Sequence, residues 1–534
     1  MRRAAALRTL FALGASAALP RPAAAYEPHV FRFTDGLDVS SLNPFLATSG
    51  NTRVLSELTM AHFVRYSPHG EPIPELLAEI PTEHNGGISR DGKTIVFRLR
   101  RNVRWSDGAP FDASDVLYSV AVAMDTRNNL FVHDPWEHVA GASASDKFTV
   151  RLHLKEPYQP FLYDYFSSLA NSCILPKHIL GESTVINTVP YNGLPVGIGP
   201  FRYTAYHRSA SVEMEANPYY WRGTPKLRKL IYKIIPDQNT MLTQLETGEV
   251  DLCDTINGPM AETAKNLAGK RWTTRLSNFM GGIYFNTSHP QLREAVVRRA
   301  LRLATDRVTI FNKVMQRNGA MTESYLPQVE PDYDAVPLSP YDPAEARRML
   351  DDDGWNVGSD GVRHKGDIAL TLDLAIPSGY QPSEVFASLL KQDWENIGVH
   401  VTIHVWPTAQ FFATYSANGA LERGNYDIAM LSQAQRLLSA AINGVFDCAA
   451  APPHGANFVR YCNPRVDAIN QQYLHTYDPK KQKALAAQLQ RQIDDDCPVI
   501  EIYERAFLAV YDARVKGFAP NPFSDWGDPM ELDI

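Results

Sequence analysis

Residues Gly199–Asp251 read GPFRYTAYHRSASVEMEANPYYWRGTPKLRKLIYKIIPDQNTMLTQLETGEVD. Apolar side chains alternate through Phe201–Tyr206 and again through Ser211–Ala216, the period-2 pattern of strands with one buried face. The turn-rich Asn217–Lys226 separates them from a third apolar run, Leu230–Ile235, and a helical segment follows near Asn239–Thr247. Hairpin, strand and helix in that order predict one lobe of an α/β domain.

Residues 1–25 read as an export signal. Arg2, Arg3 and Arg8 precede the apolar Leu10–Leu19, and Ala23, Ala24 and Ala25 supply small residues before Tyr26. The apolar segment is shorter than the ~20 residues a membrane span needs, and no cysteine stands at the cleavage site for lipid attachment. A free periplasmic protein is expected. The remaining chain exceeds the ~250–300 residues at which a single core stops growing, so several lobes are expected. The formal charge of −7 becomes more negative once the signal arginines are removed, which argues against a nucleic-acid surface. Five cysteines are present; Cys448 and Cys462 are the expected pair because Pro452, Pro453 and Gly455 can turn the intervening chain back, the alternative being five buried thiols.

Three short words in the opening stretch carry a resemblance: Gly-x-Gly-Pro-Phe at Gly197–Phe201, Asn-x-x-Tyr-Trp-x-Gly at Asn217–Gly223, and Gly-Glu-Val-Asp at Gly248–Asp251. Together with Pro74–Ala78, Ser89–Lys93, Trp105–Val116, the run Val297–Ala300 followed by Asp306-Arg307, and Tyr341–Gly354, they resemble the extracellular solute-binding proteins of ABC transporters in the oligopeptide/dipeptide-binding family, family 5. The resemblance implies a two-lobed periplasmic binding protein fold with mixed sheets, two crossover hinge strands and an extra inserted subdomain. Residues 26–70, 191–278 and 506–534 would form a discontinuous lobe I, 71–190 the inserted subdomain and 279–505 lobe II. It also implies a monomer without catalytic residues, cofactor or metal, which takes a peptide or small-molecule ligand to ABC permease subunits.

Candidate ligand contacts follow from the same resemblance. Ser49, Gly50 and Asn51 precede a segment, Thr52–Tyr66, with near-helical apolar spacing; capping of that helix by Ser49 or Asn51 is the alternative. Met280, Gly282 and Tyr284 lie on the first expected crossover, where they either floor a cleft or pack, and Tyr503 lies on the second, Pro498–Tyr503. Trp406, Gln433, Gln435 and Arg436 come from the expected second wall. Here the chain departs from its relatives: no aspartate occurs between Asp427 and Asp447, where peptide-binding members place one for the ligand's amino group. Gln433, Gln435 and Arg436 suit neutral or anionic groups.

Other patterns lead away from chemistry. Gly87–Thr94 matches a phosphate-binding loop, yet a polar stretch precedes it and an alternating strand follows, where a buried strand and a helix are required. His133, Asp134, Glu137 and His138 fit no closed zinc spacing, Pro135 interrupts them, and a solvated loop is expected. The Pro- and Asp-rich C-terminal tail reads as surface coil. An exported hydrolase is the alternative of a different class, but neither G-x-S-x-G nor H-E-x-x-H occurs. A receptor or chaperone that keeps the fold without transport is the third.

Overall fold

Two long strands, Lys270–Phe285 and Val499–Asp512, carry the architecture of this computed structural model. They pair antiparallel from Lys270 opposite Asp512 to Tyr284 opposite Val499 and extend roughly 45–50 Å, long enough to belong to two bodies at once. The structure describes residues 28–47, 50–130, 132–256, 258–379, 381–442 and 444–534; the export signal read at residues 1–25 and the candidate Ser49 lie outside them.

The long pair sits in the middle of one mixed sheet. On one side follow Leu252–Ile256, Val30–Thr34, Lys229–Lys233, Ser211–Ala216 and Phe201–His207; on the other, Ile428–Ala434, Thr371–Pro377 and His400–Trp406. Val30–Thr34 is parallel to both its neighbours, as is Thr371–Pro377, while the remaining pairs are antiparallel. The opening stretch folds as its pattern predicts, with Ser211–Ala216 as hairpin partner of Phe201–His207 and Gln238–Thr247 as the helix. Asp237 caps that helix by accepting from Thr240 N, and Gly248 ends it at φ +80°, a conformation glycine adopts without strain.

Apolar side chains separate into distinct cores on the two sides of the long pair. Phe31, Phe33, Leu55, Leu58 and Tyr232 belong to one cluster, lobe I; Ile283, Phe285, Leu301, Leu374 and Trp394 belong to another, lobe II. A separate antiparallel sheet, Thr94–Arg98, Thr149–Leu154 and Val139–Asp146, packs on the helix Ala113–Met124 and forms the inserted subdomain, whose core is continuous with that of lobe I. Asp112 starts this helix with a reciprocal cap: it accepts from Ser114 N, and Asp115 accepts from Asp112 N.

Three expectations are corrected. The helix expected over Thr52–Tyr66 spans only Asn51–Thr59, because the carbonyl of Thr59 accepts from Gly199 N and Val64–Tyr66 pairs as a strand with Pro72–Pro74. The segment around His133–His138 is solvated in part only: His133, Asp134 and Glu137 are exposed, but Asp134–Glu137 is a helical turn, Pro135 and Trp136 are buried, and the His138 ring stacks on Tyr158 with centroids 4.1 Å apart. The C-terminal tail is not surface coil either. Phe523, Trp526 and Leu532 are buried, and Trp526 packs edge-on against Phe33 while its indole N–H donates to Val54 O at 2.9 Å. Gly87–Thr94 leads into the strand Thr94–Arg98, so no helix N-terminus faces it.

Cys448 and Cys462 form a disulfide, and Cys173, Cys253 and Cys497 are buried thiols. Among the described residues no helix is long and apolar enough to cross a membrane.

Candidate functional site

A cavity of about 870 Å³ opens where the two long strands pass between the lobes. Lobe I contributes the turn after its first strand (Asp35, Gly36, Leu37), the first turn of the helix Asn51–Thr59, and Asp254 and Thr255. The inserted subdomain contributes Trp136, Tyr163, Asp164 and Ala170, and lobe II contributes Ala434, Gln435 and Arg436. The long strands supply Arg275, Asn278 and Phe279 from one and Arg505 and Phe507 from the other.

Its floor is a buried ion network. Arg275 donates to Asp254 at 2.8 and 3.1 Å and to Asp525 at 2.8 Å. Arg53 pairs with Asp525 at 2.6 Å and with Glu57 at 2.7 Å. Burial and the neighbouring Asp525 push the Glu57 carboxyl upward, whereas the two guanidiniums beside Asp525 hold that carboxyl below its ordinary range despite its burial. Neutralising so many buried charges against one another leaves a polar but largely balanced floor.

Asp35 stands apart from that network. The Tyr232 hydroxyl and Leu37 N both donate to its Oδ1, and burial, with Asp254 and Asp525 nearby, pushes its carboxyl up to about 6. Asn51 is fixed beside it: its amide N–H groups donate to Leu37 O, Asp38 O and the Tyr232 hydroxyl. That leaves the Asn51 side-chain oxygen buried without a partner, as is the side-chain nitrogen of Gln435 across the cavity. Gln435 itself is held by the backbone, donating its N–H to Asn278 O and accepting from the Asn278 side chain.

Arg436 closes the opposite wall. Its guanidinium donates to Asp164 at 2.8 Å, to the Tyr158 hydroxyl at 3.0 Å and to Asp134 at 3.2 Å, all on the inserted subdomain. A second tie between the same bodies runs through Tyr477, whose hydroxyl donates to Gly92 O and accepts from Tyr158 N.

Of the residues picked out from sequence, Gly50, Asn51, Gln435 and Arg436 line this cavity. Arg436, expected to offer its charge to a ligand, is instead engaged by carboxylates of the inserted subdomain. Met280, Gly282 and Tyr284 do not line the cavity: Met280 and Tyr284 are buried in the packing, and a Cβ at Gly282 would lie 2.6 Å from Ile500 O. Tyr503 is absent from the lining too, its ring lying over Gly281. Gln433 sits opposite Met280 in the strand pair, and Trp406 packs with the cluster around Phe411 and Tyr426; neither reaches the cavity. The long strands meet the cavity nearer lobe I, at Arg275–Phe279 and Arg505–Phe507, because register shifts between Leu276 and Met280 and between Gly281 and Gly282 break the alternation. Sequence reading missed Asp35, Arg53, Asp254, Arg275 and Asp525 entirely. Among the described residues no group of three or more His, Cys, Asp or Glu is arranged to hold a metal ion.

Comparison with known proteins places this geometry in a family. The family model for bacterial extracellular solute-binding proteins, family 5 (middle), matches residues 43–441. The chain is 28% identical over 406 residues to the nickel-binding periplasmic protein of Escherichia coli (strain K12), covering 74% of each chain. It is 25% identical over 470 residues to the oligopeptide-binding protein AppA of Bacillus subtilis (strain 168), covering 84% of this chain and 81% of that one. The crystal structure of the ABC transporter substrate binding protein CtaP from Listeria monocytogenes superposes with a TM-score of 0.81 at 22% identity, over 95% of this chain and 99% of the other.

Proposed function

The chain belongs to the family 5 bacterial extracellular solute-binding proteins and is the substrate-binding component of an ABC importer; we propose that it captures a small polar or peptide-like solute in the cavity between its lobes and delivers it to the membrane permease. The observation that carries this reading is the cavity itself, about 870 Å³, walled by both lobes at the strands that join them. The oligopeptide-binding and nickel-binding relatives are named for different cargoes, so the solute is read from this chain's own side chains. Neither a catalytic group nor a resident cofactor enters the mechanism.

In this reading the protein is exported by residues 1–25 and works in the periplasm as a monomer. Lobe I comprises residues 26–70, 191–278 and 506–534, with 71–190 inserted into it, and lobe II comprises 279–505. The distinct apolar cores on either side of the long strands support that division. Solute binding draws an open–closed equilibrium toward the closed form by the contacts made only when both walls touch the ligand.

Small-angle scattering of the purified mature protein tests this. A bound solute is expected to reduce the radius of gyration and to change tryptophan emission. A solute that binds tightly in the cavity while leaving both unchanged would remove closure from the mechanism.

A further inference from the structure

Four aspartates and four arginines line the cavity. Asp254 and Asp525 share Arg275, Asp525 also meets Arg53, and Asp164 meets Arg436. Asp35 is the exception: among the described residues it forms no ion pair with a lysine, arginine or histidine, and the foremost charged groups acting on it, Asp254 and Asp525, are both anionic, their own partners being Arg275 and, for Asp525, Arg53 as well. The donors it has, Tyr232 and Leu37 N, go to Oδ1, and Oδ2 receives none from the described residues.

Asn51 supplies an independent observation. It is 1% exposed, and with its N–H groups committed to Leu37 O, Asp38 O and Tyr232, the amide is oriented and its oxygen is left as a buried acceptor lining the cavity. Tyr232 joins the two residues, donating to Asp35 while accepting from Asn51. A carboxylate oxygen and an amide oxygen held on one wall, both lacking donors, match a group with several N–H bonds and a positive charge.

We propose that Asp35 and Asn51 recognise a cationic head group of the solute, an ammonium or guanidinium, and that Gln435 across the cavity donates to an acceptor elsewhere on the same molecule. This rests on the solute-binding reading and narrows its cargo. It also revises the expectation drawn from the missing aspartate of lobe II: the carboxylate for a ligand amine stands on lobe I, on the turn after the first strand. Because burial pushes Asp35 up to about 6, a bound cation competes with a proton there, and affinity falls on acidification.

Calorimetric titration of the mature protein separates the outcomes, using Ala-Leu against N-acetyl-Ala-Leu and 4-guanidinobutyrate against 4-ureidobutyrate. The cationic member of a pair is expected to bind at least tenfold tighter, with an affinity that drops about tenfold between pH 7 and pH 5. Asp35→Asn is expected to erase both the preference and the pH dependence, circular dichroism confirming its fold; the wild-type profile needs no variant. Equal or tighter binding of the neutral members, or a folded Asp35→Asn protein with affinity and pH profile intact, overturns the assignment while leaving solute capture standing. If no probe of either kind binds, and scattering finds no solute that compacts the protein, both readings fall together.

Discussion

The guanidinium of Arg436 donates to the carboxylate of Asp164 at 2.8 Å, joining lobe II to the inserted subdomain across the cavity wall. Asp164 is buried, and the Tyr158 hydroxyl donates to the same oxygen at 2.5 Å. Burial pushes Asp164 upward and Arg436 opposes that push. In the proposed closure, a pair that ties the two bodies is made when they come together, so its free energy would belong to the closed form.

Removing the cation therefore acts on closure. Arg436→Met leaves Asp164 buried and uncompensated in the closed state, a penalty of about 3–5 kcal/mol for a buried partner. The expected result is a larger radius of gyration without ligand and faster ligand release, tenfold or more. The double variant Arg436→Met with Asp164→Asn should recover part of the loss, since no unpaired charge remains. Stopped-flow dissociation and small-angle scattering of the three proteins check this; equal release rates in all of them would detach the pair from closure.

A second prediction concerns Glu501, on the long strand Val499–Asp512. It is 1% exposed, and neither carboxylate oxygen has a partner among the described residues. Burial alone pushes it up to about 8, so the side chain is protonated at neutral pH. The folded state then holds a proton that the unfolded chain releases near the ordinary glutamate range. Stability is fully present below that range and declines as pH rises through about 8, by an amount on the order of a few kcal/mol. Glu501→Gln, which keeps the shape and the neutral charge, should flatten the decline and raise stability most at pH 8. Urea unfolding midpoints between pH 5 and pH 9 for both proteins give the comparison.

How the sequence exposes the scaffold but hides the cavity is visible in these residues. Alternation at Phe201–Tyr206 and Ser211–Ala216 reports burial on one face of a strand, a local property, and the strands stand where it predicts. The cavity floor is assembled from Arg53, Asp254, Arg275 and Asp525, the last two 250 positions apart, and no periodicity encodes which distant charges will meet. Met280, Gly282 and Tyr284, read as either cleft floor or packing, stand outside the cavity lining for a related reason. The resemblance points to the crossover strand but not to the part of it that meets a cavity, and the register shifts beginning at Leu276 accompany a lining made of Arg275, Asn278 and Phe279. The tail misled through composition: its prolines and aspartates look solvated, yet Trp526 anchors it and brings Asp525 to Arg53 and Arg275.

The disulfide offers a third prediction. Cys448 and Cys462 are 14 residues apart, and closing a loop of this size restricts the unfolded chain by about 3 kcal/mol. Reduction, or the double variant Cys448→Ser with Cys462→Ser, should lower the unfolding free energy by up to that amount. Ligand affinity should hardly change, because neither cysteine lines the cavity. Chemical denaturation in the presence and absence of reductant, paired with a binding titration, distinguishes a stability effect from a functional one.

Gly199, in the Gly-x-Gly-Pro segment, packs directly on backbone. Gly199 N donates to Thr59 O at 2.9 Å, and the Asn217 side chain donates to Gly199 O at 2.8 Å, so the segment is bonded on both sides to its neighbours. A Cβ at Gly199 would lie 2.5 Å from the carbonyl carbon of Thr59 and 2.8 Å from Leu58 O, backbone atoms that cannot swing aside. The helix pressed in this way is Asn51–Thr59, whose first turn carries Asn51 and Arg53 into the cavity. Gly199→Ala should therefore cost about 1–3 kcal/mol or more through overpacking and, by shifting the helix, weaken solute binding as well. Gly223→Ala is the control, since at φ +102° it strains its own backbone yet has open space around it and touches no cavity element. Loss of affinity in the first variant and not in the second ties the Gly-x-Gly-Pro segment to the placement of the binding helix; equal loss in both reduces it to a general stability effect.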